Sequence, residues 1–99
     1  MPNWATAYDF ETLTVSSTAL GFTATKYRPA DTSRKATTVL LTVEGDSLRF
    51  RIDGTVPTAS VGHLVTAGGS VTLEGYDNIK NFRAIRVTTD ATVRVSFMK

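Results

Sequence analysis

Ninety-nine residues make one domain with a single modest core, too small for a deep catalytic cleft with an independent scaffold around it. The chain has no Cys, which excludes disulfides and thiolate metal sites, so an apolar fraction of 41% must hold the fold by packing, as suits a reducing cytoplasm. Lys and Arg total 11 against 9 Asp and Glu; the resulting net charge of +2 is too small to imply a nucleic-acid partner by itself.

Residues 1–10 place Trp4, Tyr8 and Phe10 among small polar residues, and they read either as an N-terminal arm that docks on a neighbour or as a first strand laid over the core. Residues 1–6 lack the basic start and apolar run of a signal peptide, and no stretch approaches the length of a membrane span, so no membrane partner is expected. Residues 11–99 then form a single all-β domain. Thr and Val are abundant, Ala and Leu never fall at helical spacing, and turn residues recur at short intervals.

Strands are expected at residues 11–15, 20–27, 37–43, 47–53, 70–75, 82–88 and 91–98, with a short eighth at His63-Leu64-Val65, and no helix. The connections fall at 28–35, 44–46, 54–62, 66–69, 76–81 and 88–90. The clearest strand is Leu48-Arg49-Phe50-Arg51-Ile52, where apolar and charged residues alternate with period two. Asp53-Gly54 turns it, and Pro57 cannot donate to a ladder, so the strand ends there. Residues 38–43 and 48–52 flank Glu44-Gly45-Asp46-Ser47 and suggest a hairpin at the centre of one sheet. A second hairpin joins Ile85 and Val87 to Val93, Val95 and Phe97 across Thr88-Thr89-Asp90, with Arg86 and Arg94 pointing outward, and closes the other sheet. These stripes are buried best by two antiparallel sheets packed face to face, an Ig-like or jelly-roll-like β-sandwich of seven to eight strands.

No constellation in the chain announces catalysis. His63 is the lone histidine, so a multi-histidine metal site is impossible, and no local motif supplies an oxyanion hole for a serine nucleophile. Glu11, Glu44, Asp46, Asp53, Glu74, Asp77 and Asp90 mostly sit at strand ends and turns, where acidic residues are structural. Gly68-Gly69 lacks the helix and Lys of a phosphate cradle, and no Asp-rich calcium loop is present. The chain is therefore expected not to be an enzyme and to need no cofactor or metal.

Contact residues are easier to name. Trp4 and Tyr8 stand in the arm, Arg28 and Arg34 decorate the 28–35 loop, and Arg49, Arg51, Arg86 and Arg94 lie on outward strand phases. Were their strands neighbours, these last four, with Arg83 close by, would form a basic stripe able to reach phosphates. No aromatic residues interleave with them to stack bases, which favours a solvated or subunit-pairing face over nucleic acid.

The run Phe50-Arg51-Ile52-Asp53-Gly54-Thr55-Val56-Pro57-Thr58 resembles the strand-and-turn pattern of chitobiase C-terminal-type β-sandwich repeats, Ig-like accessories often attached to carbohydrate-active proteins. The longer run through Ala59-Ser60-Val61-Gly62-His63-Leu64, Gly69, Gly75 and Asn81-Phe82-Arg83-Ala84-Ile85-Arg86 resembles small virion structural proteins of tailed phages and prophages, over about the C-terminal two-thirds. That resemblance implies a non-enzymatic particle component, made in a bacterial host cytoplasm and residing in the virion. It would act at the head surface, as a decoration or capsid-associated protein, or at the head-tail connection. Its partners would be capsid, connector or tail subunits and further copies of itself. The first resemblance implies the alternative, a carbohydrate-binding module. Such a module needs a row of exposed aromatics, whereas Trp4, Tyr8, Tyr27 and Tyr76 are scattered along the chain.

Overall fold

A computed structural model of the chain describes residues 6–28 and 35–99. The strands are β1 (Ala7–Val15), β2 (Thr38–Glu44), β3 (Leu48–Arg51), β4 (His63–Val65), β5 (Ser70–Glu74), β6 (Arg83–Arg86) and β7 (Ala91–Met98), joined by the short helices α1 (Ala24–Tyr27) and α2 (Tyr76–Asn81). Two antiparallel sheets form, one in the order β1-β7-β2-β5 and the other β4-β3-β6.

The pairings nest. β1 pairs β7, Leu20 bridges Ala84 of β6, β2 pairs β5, and β3 pairs β4. The chain thus behaves as one long antiparallel hairpin whose tip is the 52–62 loop, rolled up so that successive segments alternate between the two sheets. This winding is the jelly-roll form of the expected β-sandwich, with one position reduced to the single Leu20 bridge.

The alternation of apolar residues determines what lies between the sheets. Val39, Leu41 and Val43 of β2 and Val93, Val95 and Phe97 of β7 project from the first sheet, and Leu48, Phe50, Val65 and Ala84 project from the second. β7 is the centre of this arrangement. It is hydrogen-bonded on both sides, with Val95 level with Glu11 and Leu41, and its four inward side chains, Ala91, Val93, Val95 and Phe97, are fully buried. Each of the three larger ones contributes roughly 1.5–3 kcal/mol on burial. An aromatic cluster lies within the core: Phe22 stacks on Phe82 with ring centroids 4.3 Å apart, meets Phe97 edge-on at 5.6 Å, and Phe50 approaches Phe82 at 5.5 Å. Among the described residues the core contains no buried polar or charged side chain.

Four expectations are corrected. The 20–27 strand is absent. Leu20 makes its lone bridge, Phe22 dives into the core, and Ala24–Tyr27 is a helical turn closed by Lys26 N donating to Thr23 O and Arg28 N to Ala24 O. Once Phe22 is buried, the following Thr-Ala-Thr-Lys offers no inward side chain to keep a strand in place. The 76–81 connection is a helix, α2, whose Ile79 is fully buried as a plug over the end of the core.

The two expected hairpins are not pairs within a sheet. β2 and β3 lie in opposite sheets, as do β6 and β7. Two stripes facing one core satisfy burial equally well as sheet neighbours or as partners across the sandwich, and the winding selects the second. The turn between β2 and β3 bends at Gly45, with φ +88°, and Asp46 ties it to the β6–β7 turn by accepting from Ser47 N, Thr89 N and the Thr89 hydroxyl at 2.7 Å each. Finally, the inward phase of β6 is that of Ala84, shared by Phe82 just before the strand, and Ile85 faces outward opposite Arg49.

Truncating Phe82 opens a void at the meeting point of both sheets. Phe82→Ala is expected to lower unfolding free energy by about 3–5 kcal/mol in urea titration, whereas Phe10→Ala, at an outward position 53% exposed, changes it by less than about 0.5 kcal/mol.

Candidate contact surface

The expected contact residues do not share one face. Trp4 and Arg34 lie outside the described residues. Arg49 and Arg51 sit on the outer face of the three-stranded sheet, with Arg83 directly opposite Arg51. Arg94 is on the outer face of the other sheet, level with Thr12 and Thr42. Arg86 is opposite Leu48, on the inward phase at the rim, contrary to the outward position expected of it. The basic stripe is therefore broken up by the same assignment of β6 and β7 to opposite sheets.

Most of these side chains are engaged within the chain. Arg49 donates from Nε to Ala59 O and from an Nη to Gly62 O, both at 3.0 Å, and so holds the 52–62 loop against β3. That loop turns at Gly54, with φ +87°, and tucks Pro57 fully inside. Arg51 forms a two-pronged pair with Asp53, at 3.1 and 2.5 Å. Arg86 meets Asp90 at 2.5 Å, and Arg94 reaches Glu44 at 3.5 Å and the Thr12 hydroxyl at 3.2 Å. Arg28 is exposed and closes α1 through its backbone N–H.

Tyr8 is part of β1, not of a detached arm. Its hydroxyl donates to Lys26 O at 2.5 Å, and Lys99 Nζ lies 4.6 Å from its ring centre. Partial burial, with the Asp9 charge beside it, pushes the phenol above its ordinary pKa. At the same end Tyr27 packs edge-on against Tyr76, and Lys35 covers the Tyr76 ring at 4.7 Å.

What the sequence did not disclose is an open seam. A groove of about 520 Å³ runs between the edge strands β4 and β5, lined by Phe50, Ile52, His63, Val65, Val71 and Leu73, with Leu64 half exposed at its lip. The four sheet edges are protected unequally. β1 carries a bulge between Ala7 and Asp9 and is flanked by residues 23–26, held by Glu11 to Thr23 at 2.6 and 3.0 Å and by Asp9 to Lys26 at 3.1 Å. β6 is covered by Leu20, which exchanges both backbone bonds with Ala84 at 2.9 Å, and by Ser16 O, which accepts from Arg86 N at 3.0 Å. β4 is only three residues long.

β5 is the least protected among the described residues: it has no Lys, Arg, Pro or bulge, no strand on its far side, and only Asn78 of α2 at its Glu74 end. Gly69 O accepts from Val43 N and Gly75 N donates to Thr37 O, so the odd positions of β5 are spent on β2. Backbone groups alternate in direction along a strand, so the N–H and C=O of Ser70, Thr72 and Glu74 face the open edge. Of these, Glu74 O already accepts from the Asn78 side chain at 2.9 Å. The composition Ser-Val-Thr-Leu-Glu was legible as a strand, but its place at an edge depends on long-range pairing that periodicity does not encode.

Comparison with protein-family models, curated proteins and solved structures finds no significant match. Among the described residues no cluster of His, Asp and Glu is arranged to hold a metal ion, and no helix is long and apolar enough to cross a membrane.

Two predictions follow from the polar ties. Arg49→Ala removes both clamps on the 52–62 loop, and amides there should exchange with solvent markedly faster while those of β7 stay protected. The Thr89 hydroxyl and N–H, with Ser47 N–H, hold the Asp46 carboxyl below the usual aspartate pKa. A folded-state pKa below the unfolded one gives stability that is present above the unfolded value and lost as pH falls through the folded value. Asp46→Ala should therefore lower the thermal midpoint at neutral pH and shrink the further drop expected of the parent chain below about pH 4.

Proposed function

We propose that this chain is a non-enzymatic structural protein of a phage particle, at the head surface or the head-tail connection, that works by protein–protein contact. The observation that carries the reading is the open β5 edge beside an apolar groove, a surface suited to backbone pairing with another chain. The other polar side chains on the surface are largely occupied in holding loops and turns, as Arg49, Arg51, Asp46 and Arg86 are. The resemblance of the C-terminal two-thirds to small virion proteins of tailed phages supplies the setting, and with it a virion location after synthesis in the bacterial cytoplasm. Jelly rolls serve both viral shells and lectins, so the fold by itself does not choose between particle and glycan.

The aromatic side chains favour the particle. A glycan platform presents flat, open rings in a row, whereas here Lys99 lies over Tyr8, Tyr27 packs against Tyr76, and Lys35 lies over Tyr76. In the particle reading, capsid, connector or tail subunits are the partners, and residues 1–5 with Trp4 add an arm contact.

The test is fractionation of particles from an infected or induced host. The chain is expected to band with intact particles at a fixed copy number, and a chain lacking residues 1–5 is expected to fold with an unchanged circular dichroism spectrum but at reduced occupancy. A chain found only in the free protein fraction, or one retained tightly on a glycan array, overturns the reading.

A further inference from the structure

We infer that two copies of this chain pair through their β5 strands across a two-fold axis, joining their four-stranded sheets into one continuous sheet. The inference rests on reading β5 as a contact edge and goes further by naming the occupant as a second copy.

The sequence of the edge is complementary to itself in one register. The groups left free by β2 belong to Ser70, Thr72 and Glu74, so an antiparallel partner must offer its own even positions. Centring the axis on Thr72 satisfies this. Thr72 then exchanges both backbone bonds with Thr72 of the second copy, and Ser70 exchanges them with Glu74 of the second copy. The carboxylates of the two Glu74 residues are thereby kept at opposite ends of the joint, each against a serine, so no like charges face each other. Asn78 leaves one lone pair of Glu74 O free for this bond.

Side chains fit the same register. On the outer face Thr72 ends the row Phe10, Ser96, Leu40, Thr72, so the joint brings two threonines together, a favourable cross-strand pair. On the inner face Val71, half-buried in the single chain, meets Leu73 of the second copy, and the two apolar grooves open into each other. The remaining edges do not compete: β1 and β6 are flanked and β4 is short. The interface is isologous, and the pairing closes after two copies without leaving a second open β5.

Sedimentation velocity on the purified chain tests this at concentrations up to about 100 μM, a range that captures micromolar pairing. The expected species is about twice the protomer mass of 10.7 kDa. Thr72→Pro removes an N–H that no bond within the chain uses, and Thr72→Lys sets two ammonium groups against each other across the axis. Both variants are expected to be monomers with the parent's circular dichroism spectrum and thermal midpoint within a few degrees. A parent chain that stays monomeric at about 100 μM, or a dimer that persists in either variant, overturns the inference. So does a monomer that pairs along β5 with an unrelated extended peptide instead. Any of these outcomes leaves the particle reading to its own fractionation test, so the two fail separately.

Discussion

The constraint on which the rest of this structure depends is the double engagement of β7. Its backbone is hydrogen-bonded to β1 on one side and β2 on the other, and Val93, Val95 and Phe97 are fully buried beneath it. A C-terminal strand inserted between the first strand and the second forces the chain to wrap around itself, because β3 and β4 must leave the sheet, β5 return to it beside β2, and β6 leave it again before β7 closes the gap. The nested pairings, the alternation between sheets and the position of the 52–62 tip all follow from that insertion. Phe22, Phe50, Phe82 and Phe97 then fill the space where the two sheets and the 20–23 segment converge.

Rolling a hairpin into two open sheets leaves four edges, and the surface of this protein is largely the record of how they are covered. The 16–27 segment serves two of them, bridging β6 through Leu20 and Ser16 and flanking β1 through Thr23 and Lys26. Among the described residues, the sheet side formed by β4 and β5 receives no such segment. The hydroxyl-bearing, nearly uncharged β5 and the apolar groove beside it stay open in the single chain, and the proposed contact function rests on them. The charged side chains first suspected of making contacts have mainly internal duties. Arg49 is a clamp on the tip loop, and Arg94 bridges Glu44 and Thr12 across three strands.

How much of this was legible in the sequence depends on the range of the interaction concerned. Period-two alternation located the strands in β2, β3 and β7 to within a residue or two, and the inward faces of all three were correct, because one buried face leaves its mark on each strand separately. Leu20 to Tyr27 misled because Leu20 and Phe22 alternate like a strand, yet each is used once, one as a bridge and one as a core ring. Tyr76 to Asn81 was too short for helical periodicity to register, although Ile79 alone carries the burial. The sheet assignments of β2 with β3 and β6 with β7 were inaccessible for a different reason. A stripe of apolar residues states that a strand faces the core, and says nothing about which side of the core it occupies. The contact surface was missed on the same account, since an edge is defined by the strand that is not there.

The central claim is that this chain makes its contacts by pairing backbone groups along β5. Amide hydrogen exchange at Thr72 addresses it most directly, with Val71 as the internal reference, because the Val71 amide is used by β2 within the single chain and the Thr72 amide is not. In the dilute chain Thr72 should exchange rapidly and Val71 slowly; in the assembled state Thr72 should slow by about tenfold or more while Val71 is little changed. A Thr72 amide that exchanges as fast after assembly as before it would contradict the account.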